Sequence, residues 1–147
     1  MTNKISIKES TIDEVLKINS TIIEFDEKYQ KDYFEDRYKG KKKLIIVAYV
    51  NGNPAWFIVW YDKSSDSSFY CWMVWVNPKF RKLGVLSALM EYENDWAIAN
   101  NYNKIKIKTR NSRRGMLSYL VKNGFYFTEV TQKPNVYDNE IYLEKDL

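Results

Sequence analysis

The sequence contains no histidine. That excludes Ser-His-Asp and Cys-His catalysis and every zinc site built on imidazole, so proton transfer must use carboxylates, tyrosine, lysine, chain termini or water. A lone cysteine, Cys71, excludes an internal disulfide. It lies in an apolar run with no histidine to activate it, and is expected to pack rather than react. No stretch approaches the ~20 apolar residues of a membrane-spanning helix. The opening "MTNKISIKES" lacks the apolar block of a secretory signal. The cytoplasm is therefore the expected location, with no membrane partner and no metal. Acids are missing from Trp96 to Thr128, where seven bases stand, whereas residues 1–36 hold nine acids against five bases. A basic region can meet a polyanion or a phosphorylated ligand. Here Lys104, Lys106 and Lys108 alternate with Ile105 and Ile107, as on a half-buried strand, and no nucleic-acid partner is expected.

What is present is ample for a core. The 147 residues are 45% hydrophobic and 16% aromatic, which suits one domain over 1–147. "KISIKE" (Lys4–Glu9) alternates as a strand does, and "STIDEVLKINSTIIEF" follows with apolar residues at helical spacing behind Ser10 or Thr11 as cap. A second helical stretch, "YQKDYFEDRY", ends before Gly40. "KLIIVAYV", "AWFIVWY" and "FYCWMVWV" read as three strands of a meander, the first two joined at Asn51-Gly52, a strong hairpin signal. A helix over 84–100, a strand over 104–110, a helix within "SRRGMLSYLVKN" and two closing strands, "FYFTEVTQ" and "NEIYLEK", complete the chain. The order β-α-α-β-β-β-α-β-α-β-β predicts an α/β fold, a mixed sheet flanked by helices, with a β-α-β unit in which the helix over 84–100 is the crossover.

The segment "VNPKFRKLGVLSALM" (Val76–Met90) joins the third meander strand to that helix. Pro78 cannot donate to a ladder and marks the strand's end. A helix start offers unpaired N–H groups and partial positive charge, and can bind phosphate without any side chain. Arg81 and Lys82 add charge there, and Gly84 lets the backbone approach a ligand. The chemistry is that of a pyrophosphate cradle, although neither G-x-x-x-x-G-K-[ST] nor G-x-G-x-x-G occurs.

These residues carry a resemblance. "VNPKFRKLGVL" resembles the core motif of the Gcn5-related N-acetyltransferases: V-x-P, an aromatic, then [Q/R]-x-x-G-x-[G/A] opening a helix. "TRNSRRGMLSYLVKNGF" (Thr109–Phe125) is similar to the family's second signature, a polar strand–helix junction and a helix ending in Gly-Phe. The element order matches over nearly all of the chain. The resemblance implies a mixed, mostly antiparallel sheet around an acyl-CoA-binding core, with acetyl-CoA as co-substrate. It implies that backbone N–H groups of Arg81, Lys82, Leu83, Gly84, Val85, Leu86 and Ser87 hold the CoA pyrophosphate. Trp75 and Val76 backbone groups would bond the pantetheine arm and polarise the thioester oxygen, where their strand splays from "IKIKT". Asn111 would sit at the thiol end.

Two positions depart from the family pattern. Leu86 replaces a small residue, and Leu120 stands where many members have a tyrosine acid. Tyr119, rotated about 100° around the helix, is the remaining candidate acid. The family's common asparagine position holds Arg113, with Asn111 two residues earlier. The implied reaction is direct attack of a primary amine on the acetyl thioester, with Glu24, Asp26 or Glu27 as a base acting through water. Trp56, Trp60, Trp72 and Trp75 crowd adjacent strands; most are expected in the core, with one or two walling the acceptor site. The acidic N-terminal part suggests a cationic acceptor, and the short chain favours a small molecule over a protein. A homodimer is compatible with all of this. The alternative is a regulatory, non-catalytic domain that keeps the fold.

Overall fold

A computed structural model of the chain describes residues 4–19, 31–80 and 84–147. Seven strands form one sheet in the order β1-β2-β3-β4-β5-β7-β6. They are β1 (Ile5–Glu9), β2 (Lys43–Val50), β3 (Asn53–Tyr61), β4 (Ser68–Val76), β5 (Lys104–Arg110), β6 (Tyr126–Thr131) and β7 (Glu140–Asp146). The helices are α1 (Ile12–Asn19), α2 (Lys31–Tyr38), α3 (Val85–Ala99) and α4 (Arg114–Lys122). The element order is the one read from the sequence. The expected continuation of the first helix through Phe25 lies outside the described residues. No described helix is long and apolar enough to cross a membrane.

Strand alternation divides the core into two layers. Ile46, Ile58, Trp60, Phe69, Cys71, Ile105 and Leu143 face α3 and α4 and meet Val85, Leu89, Leu117 and Leu120. Ile45, Val47, Phe57, Val59, Tyr61, Tyr70 and Trp75 face α1 and α2 and meet Val15, Phe34 and Tyr38. Cys71 is buried, as a packing cysteine should be. The β2–β3 hairpin turns through Asn51 (φ 51°) and Gly52 (φ 83°). Positive φ at both central residues is what a twisted two-residue hairpin requires.

Among the described residues only the β4–β5 pair is parallel, with α3 as its crossover. Lys104, Lys106 and Lys108 lie on the side of β5 opposite its core isoleucines. Lys104 Nζ is 2.9 Å from Glu144, Lys106 Nζ 2.9 Å from Asp66, and Lys108 Nζ 2.8 Å from Glu140. The alternating bases of this strand thus belong to a solvated face with opposite charges across from it.

Candidate functional site

β4 changes partners along its length. It pairs with β5 at Ser68↔Lys104, Phe69↔Ile105, Tyr70↔Lys106 and Cys71↔Ile107, and no further. Beyond that point β5 continues against β7, through Lys108↔Tyr142, Thr109↔Ile141 and Arg110↔Glu140. β4 continues against β3 as far as Val76↔Trp56. The sheet is therefore parted between Trp72–Val76 and Lys108–Arg110.

The parting coincides with a β-bulge. In the β3–β4 ladder Val59 faces Met73 and Trp60 faces Cys71, so Trp72 is the extra residue of β4. A bulge bends its strand and increases its twist, which directs β4 away from β5. It also reverses the facing pattern. Phe69 and Cys71 pack toward α3, whereas Trp72, Met73 and Trp75 pack toward α1 and α2, and Val74 and Val76 return to the α3 side. The edge of β4 that faces the gap presents backbone groups that β5 does not pair.

At the end of β4 the chain closes with Asn77. Its N–H donates to the Ala55 carbonyl at 2.8 Å, its carbonyl accepts from Phe80 N–H at 2.9 Å, and its side-chain Oδ1 accepts from Lys79 N–H at 3.1 Å. A single 3-10 turn, Pro78–Phe80, follows. Gly84 then precedes α3 with φ 76° and ψ 10°, a left-handed conformation that a side chain would strain. A Cβ built on Gly84 meets nothing within 4 Å. Its backbone conformation, rather than crowding by the protein, is what calls for glycine. Among the described residues no side chain caps α3, and its first turn carries no acid. Its N–H groups and positive dipole end are therefore left available for an anion.

Of the residues expected to bind the cofactor, Trp75, Val76, Gly84, Val85, Leu86 and Ser87 lie along this one path from the parted edge to the helix start. Arg81, Lys82 and Leu83 lie outside the described residues, as do Glu24, Asp26 and Glu27. Leu86 is half-buried against the core layer shared by α3 and α4. Val85 is buried and Ser87 exposed. The Trp75 ring is buried, stacks on Phe57 at 5.4 Å, and finds no acceptor for its indole N–H among the described residues.

Asn111 sits at the β5–α4 junction and is heavily committed. Its backbone N–H donates to the Asn139 carbonyl at 2.8 Å and its Nδ2 to the Val136 carbonyl at 3.2 Å, while Oδ1 accepts from Arg114 at 2.9 Å. It also lines a cavity of about 500 Å³ between α4 and the β6–β7 pair. Each side-chain bond uses one of two amide hydrogens or one of two carbonyl lone pairs, so a ligand could be met with the second of each or by exchanging a partner. Leu120 is fully buried. Tyr119 is half-buried against the α3-side core, and among the described residues its hydroxyl has no hydrogen-bond partner.

Two features escape a reading of the sequence. The Trp72 bulge has no local signal in an unbroken apolar strand. Glu93 stands inside the apolar stripe of α3, four residues after Leu89 and four before Ala97, and is fully buried. Its position on that stripe was the available signal. Among the described residues its Oε1 has no partner, and burial pushes its carboxyl up to about 9. Burial likewise raises the neighbouring Cys71 thiol well above its ordinary value, with Glu93 adding to the effect.

Comparison with known proteins accords with this geometry. The profile described as "Acetyltransferase (GNAT) family" matches residues 11–125. Among curated proteins, none matches the sequence. The fold is similar to that of Ard1 from Thermoplasma volcanium, at 23% identity and TM-score 0.77 over 97% of each chain. It is similar also to the IAA acetyltransferase from Bacillus cereus ATCC 14579, at 16% identity and TM-score 0.77 over 98% of this chain and 100% of that one. A third is a putative streptothricin acetyltransferase from Bacillus anthracis str. Ames in complex with acetyl coenzyme A, at 18% identity and TM-score 0.75, covering 98% and 99%.

Proposed function

This chain belongs to the acetyltransferase (GNAT) family, and from that premise we propose that it moves an acetyl group from acetyl-CoA to a primary amine by direct attack. Acetyl-CoA is the acetyl donor of this family, and a protein of similar fold has been crystallised with it. The residues present suit such a ligand: an uncapped helix start for the pyrophosphate and an unpaired strand edge for the amide-bearing pantetheine arm. The observation that carries the reading is that the parted edge of β4 ends in the Asn77 turn, Pro78–Phe80, only four residues before Gly84 at the start of α3.

In this proposal the whole chain, 1–147, acts as one acetyltransferase domain. Backbone N–H groups from Arg81 to Ser87 hold the pyrophosphate. Backbone groups of Trp75 and Val76 hold the arm and polarise the thioester oxygen. The amine nitrogen bonds to the acetyl carbon, the C–S bond breaks, and the thiolate takes a proton from Tyr119. The amine's own proton passes through water to Glu24. Asn111 contributes at the thiol end. Holding the two reactants together supplies much of the rate.

Calorimetric titration of acetyl-CoA, followed by an amine screen that reads thiol release, tests the proposal. Micromolar binding with turnover is the expected result. The fully buried Leu120, at the position where related enzymes carry an acid, favours one second reading: an acyl-CoA-binding domain without catalysis. Binding with no turnover on any amine would support it. No binding by the folded protein would overturn both readings.

A further inference from the structure

The sheet face that carries α1 and α2 holds a second constellation, next to the parted strands. Three aromatic rings from β3 and β4 form a floor. Tyr61 lies edge-on to Tyr70 at 5.7 Å and to Trp72 at 5.8 Å. Each ring carries a cation. The Arg37 guanidinium is 5.3 Å from the Trp72 centroid, Lys41 Nζ is 5.6 Å from Tyr61, and Lys63 Nζ is 4.6 Å from Tyr70. Two hydrogen bonds tie the cations to the floor and to one another. Arg37 Nε donates to the Tyr61 hydroxyl at 3.2 Å, and Lys41 Nζ donates to the Lys63 carbonyl at 3.3 Å.

The charge of this group is not neutralised. Among the described residues, Arg37, Lys41 and Lys63 form no ion pair. Three of the neighbouring acids are taken, whereas Glu129, which lines the same cavity as Lys63, forms no ion pair among the described residues. Asp66 is held by Lys106, Glu140 by Lys108 and Lys133, and Glu144 by Lys104. Burial, and then Lys108, Arg37 and Lys41, push the Lys63 ammonium below its usual value, against a smaller opposing pull from Glu140. Lys63 and Tyr70 also line a cavity of about 330 Å³ with Ser64, Lys106, Glu129 and Tyr142. Three of the five acids of α1 and α2 are by contrast engaged. Asp13 and Glu35 lie on Lys31, and Glu14 accepts from Tyr49 and Ser10.

We propose that this cation-ringed aromatic floor binds an anionic group, a carboxylate or a phosphate, carried by the acceptor amine. The proposal rests on the acetyltransferase reading for its acceptor. Its position rests on Trp72, which is both part of the floor and the first residue of β4 beyond the last β4–β5 pair. An acceptor anchored there by its anion would extend its amine toward the gap. The rings hold the three exposed cations on one surface, and the Arg37 fork suits either planar carboxylate or phosphate.

Two measurements on the full chain test this separately from the acetyltransferase reading. In the first, 15N-labelled protein is titrated with inorganic phosphate and with acetate at constant ionic strength. Saturable shifts of the Lys63, Ser64 and Tyr70 amides are expected, and they should vanish in Lys63→Glu. Shifts confined to Gly84–Leu86 would report the helix start alone and overturn the proposal. In the second, thiol release from acetyl-CoA is compared for phenylalanine against phenethylamine and for O-phosphoethanolamine against ethanolamine, with spermidine as the cationic competitor. The anionic member of at least one pair should show at least tenfold higher kcat/KM, and which pair responds distinguishes carboxylate from phosphate. Lys63→Glu should erase that preference without changing acetyl-CoA affinity. A preference for the neutral members or for spermidine would overturn the proposal. Saturable phosphate binding at Lys63 with no transfer to any amine would instead retire the acetyltransferase reading, and the acceptor assignment with it.

Discussion

Glu93 is a carboxyl enclosed by hydrocarbon, and its consequence for stability has a definite sign. The unfolded chain ionises it near 4.5, whereas the folded chain keeps the proton to about 9. Between those values the unfolded state has shed a proton that the folded state retains, so Glu93 costs the fold nothing below pH 4.5 and progressively more as pH rises toward 9. Melting temperatures recorded from pH 5 to 9 should decline for the wild type and stay nearly level for Glu93→Gln. An unchanged slope in that variant would show that Glu93 is not the group responsible. Glu93→Leu should melt higher than wild type at pH 8, because a buried acid without a full set of partners costs more than an apolar side chain of similar size. Tyr119 lends itself to a kinetic test. Tyr119→Phe removes the hydroxyl and keeps the ring, so loss of a general acid should lower kcat by roughly 10²-fold while leaving acetyl-CoA affinity intact. Unchanged turnover would remove Tyr119 from the chemistry. Reading the residues in order exposes Tyr119 as a candidate and places Glu93 on the apolar stripe of α3, but the proton on Glu93 follows from complete burial, which only the packed fold produces.

The β4–turn–α3 unit is where sequence and geometry agree most closely. Positive φ at Gly84, the strand-ending Pro78 and the apolar period of α3 are local properties, and each is visible in the order of residues. Gly84→Glu should abolish acetyl-CoA binding by placing bulk and negative charge at the helix start. Gly84→Ala, which meets no clash, should cost only the ~1–2 kcal/mol of left-handed backbone strain and keep much of the affinity. Wild-type affinity in a folded Gly84→Glu protein would place the pyrophosphate elsewhere. Where β4 leaves β5 was expected from family resemblance, but the bulge that produces it was not legible. "FYCWMVWV" is apolar throughout, so no alternation marks the point where its facing reverses. Phe69, just before the bulge, stacks on Trp60 at 6.0 Å, on Trp96 at 5.0 Å and near Tyr102 at 4.7 Å. It binds β3, β4 and α3 into one layer. Phe69→Ala should cost ~3–5 kcal/mol in urea unfolding, and a loss below 1 kcal/mol would mean that the layer repacks.

Ligand binding and folding are linked across the whole molecule. At 100 times its Kd, acetyl-CoA should stabilise the folded state by ~2.7 kcal/mol, or about 5–10 °C in melting temperature for a chain of this size. Gly84→Glu should show no such rise. The lysines of β5 should contribute little to stability, since exposed ion pairs are screened and flexible, and melting in 1 M NaCl should differ only slightly from melting at low salt. Element order, the Asn51-Gly52 hairpin, the packing role of Cys71 and the phosphate-ready helix start were all present in the linear sequence. Each depends on backbone preference or on the period of apolar residues over a few positions. The parting of β4 from β5, the proton on Glu93, the engagement of Asn111 by Val136 and Arg114, and the seating of Arg37, Lys41 and Lys63 on three touching rings arose only with folding. These depend on register, burial and field, and each of those sums contributions from residues that the chain order does not place together.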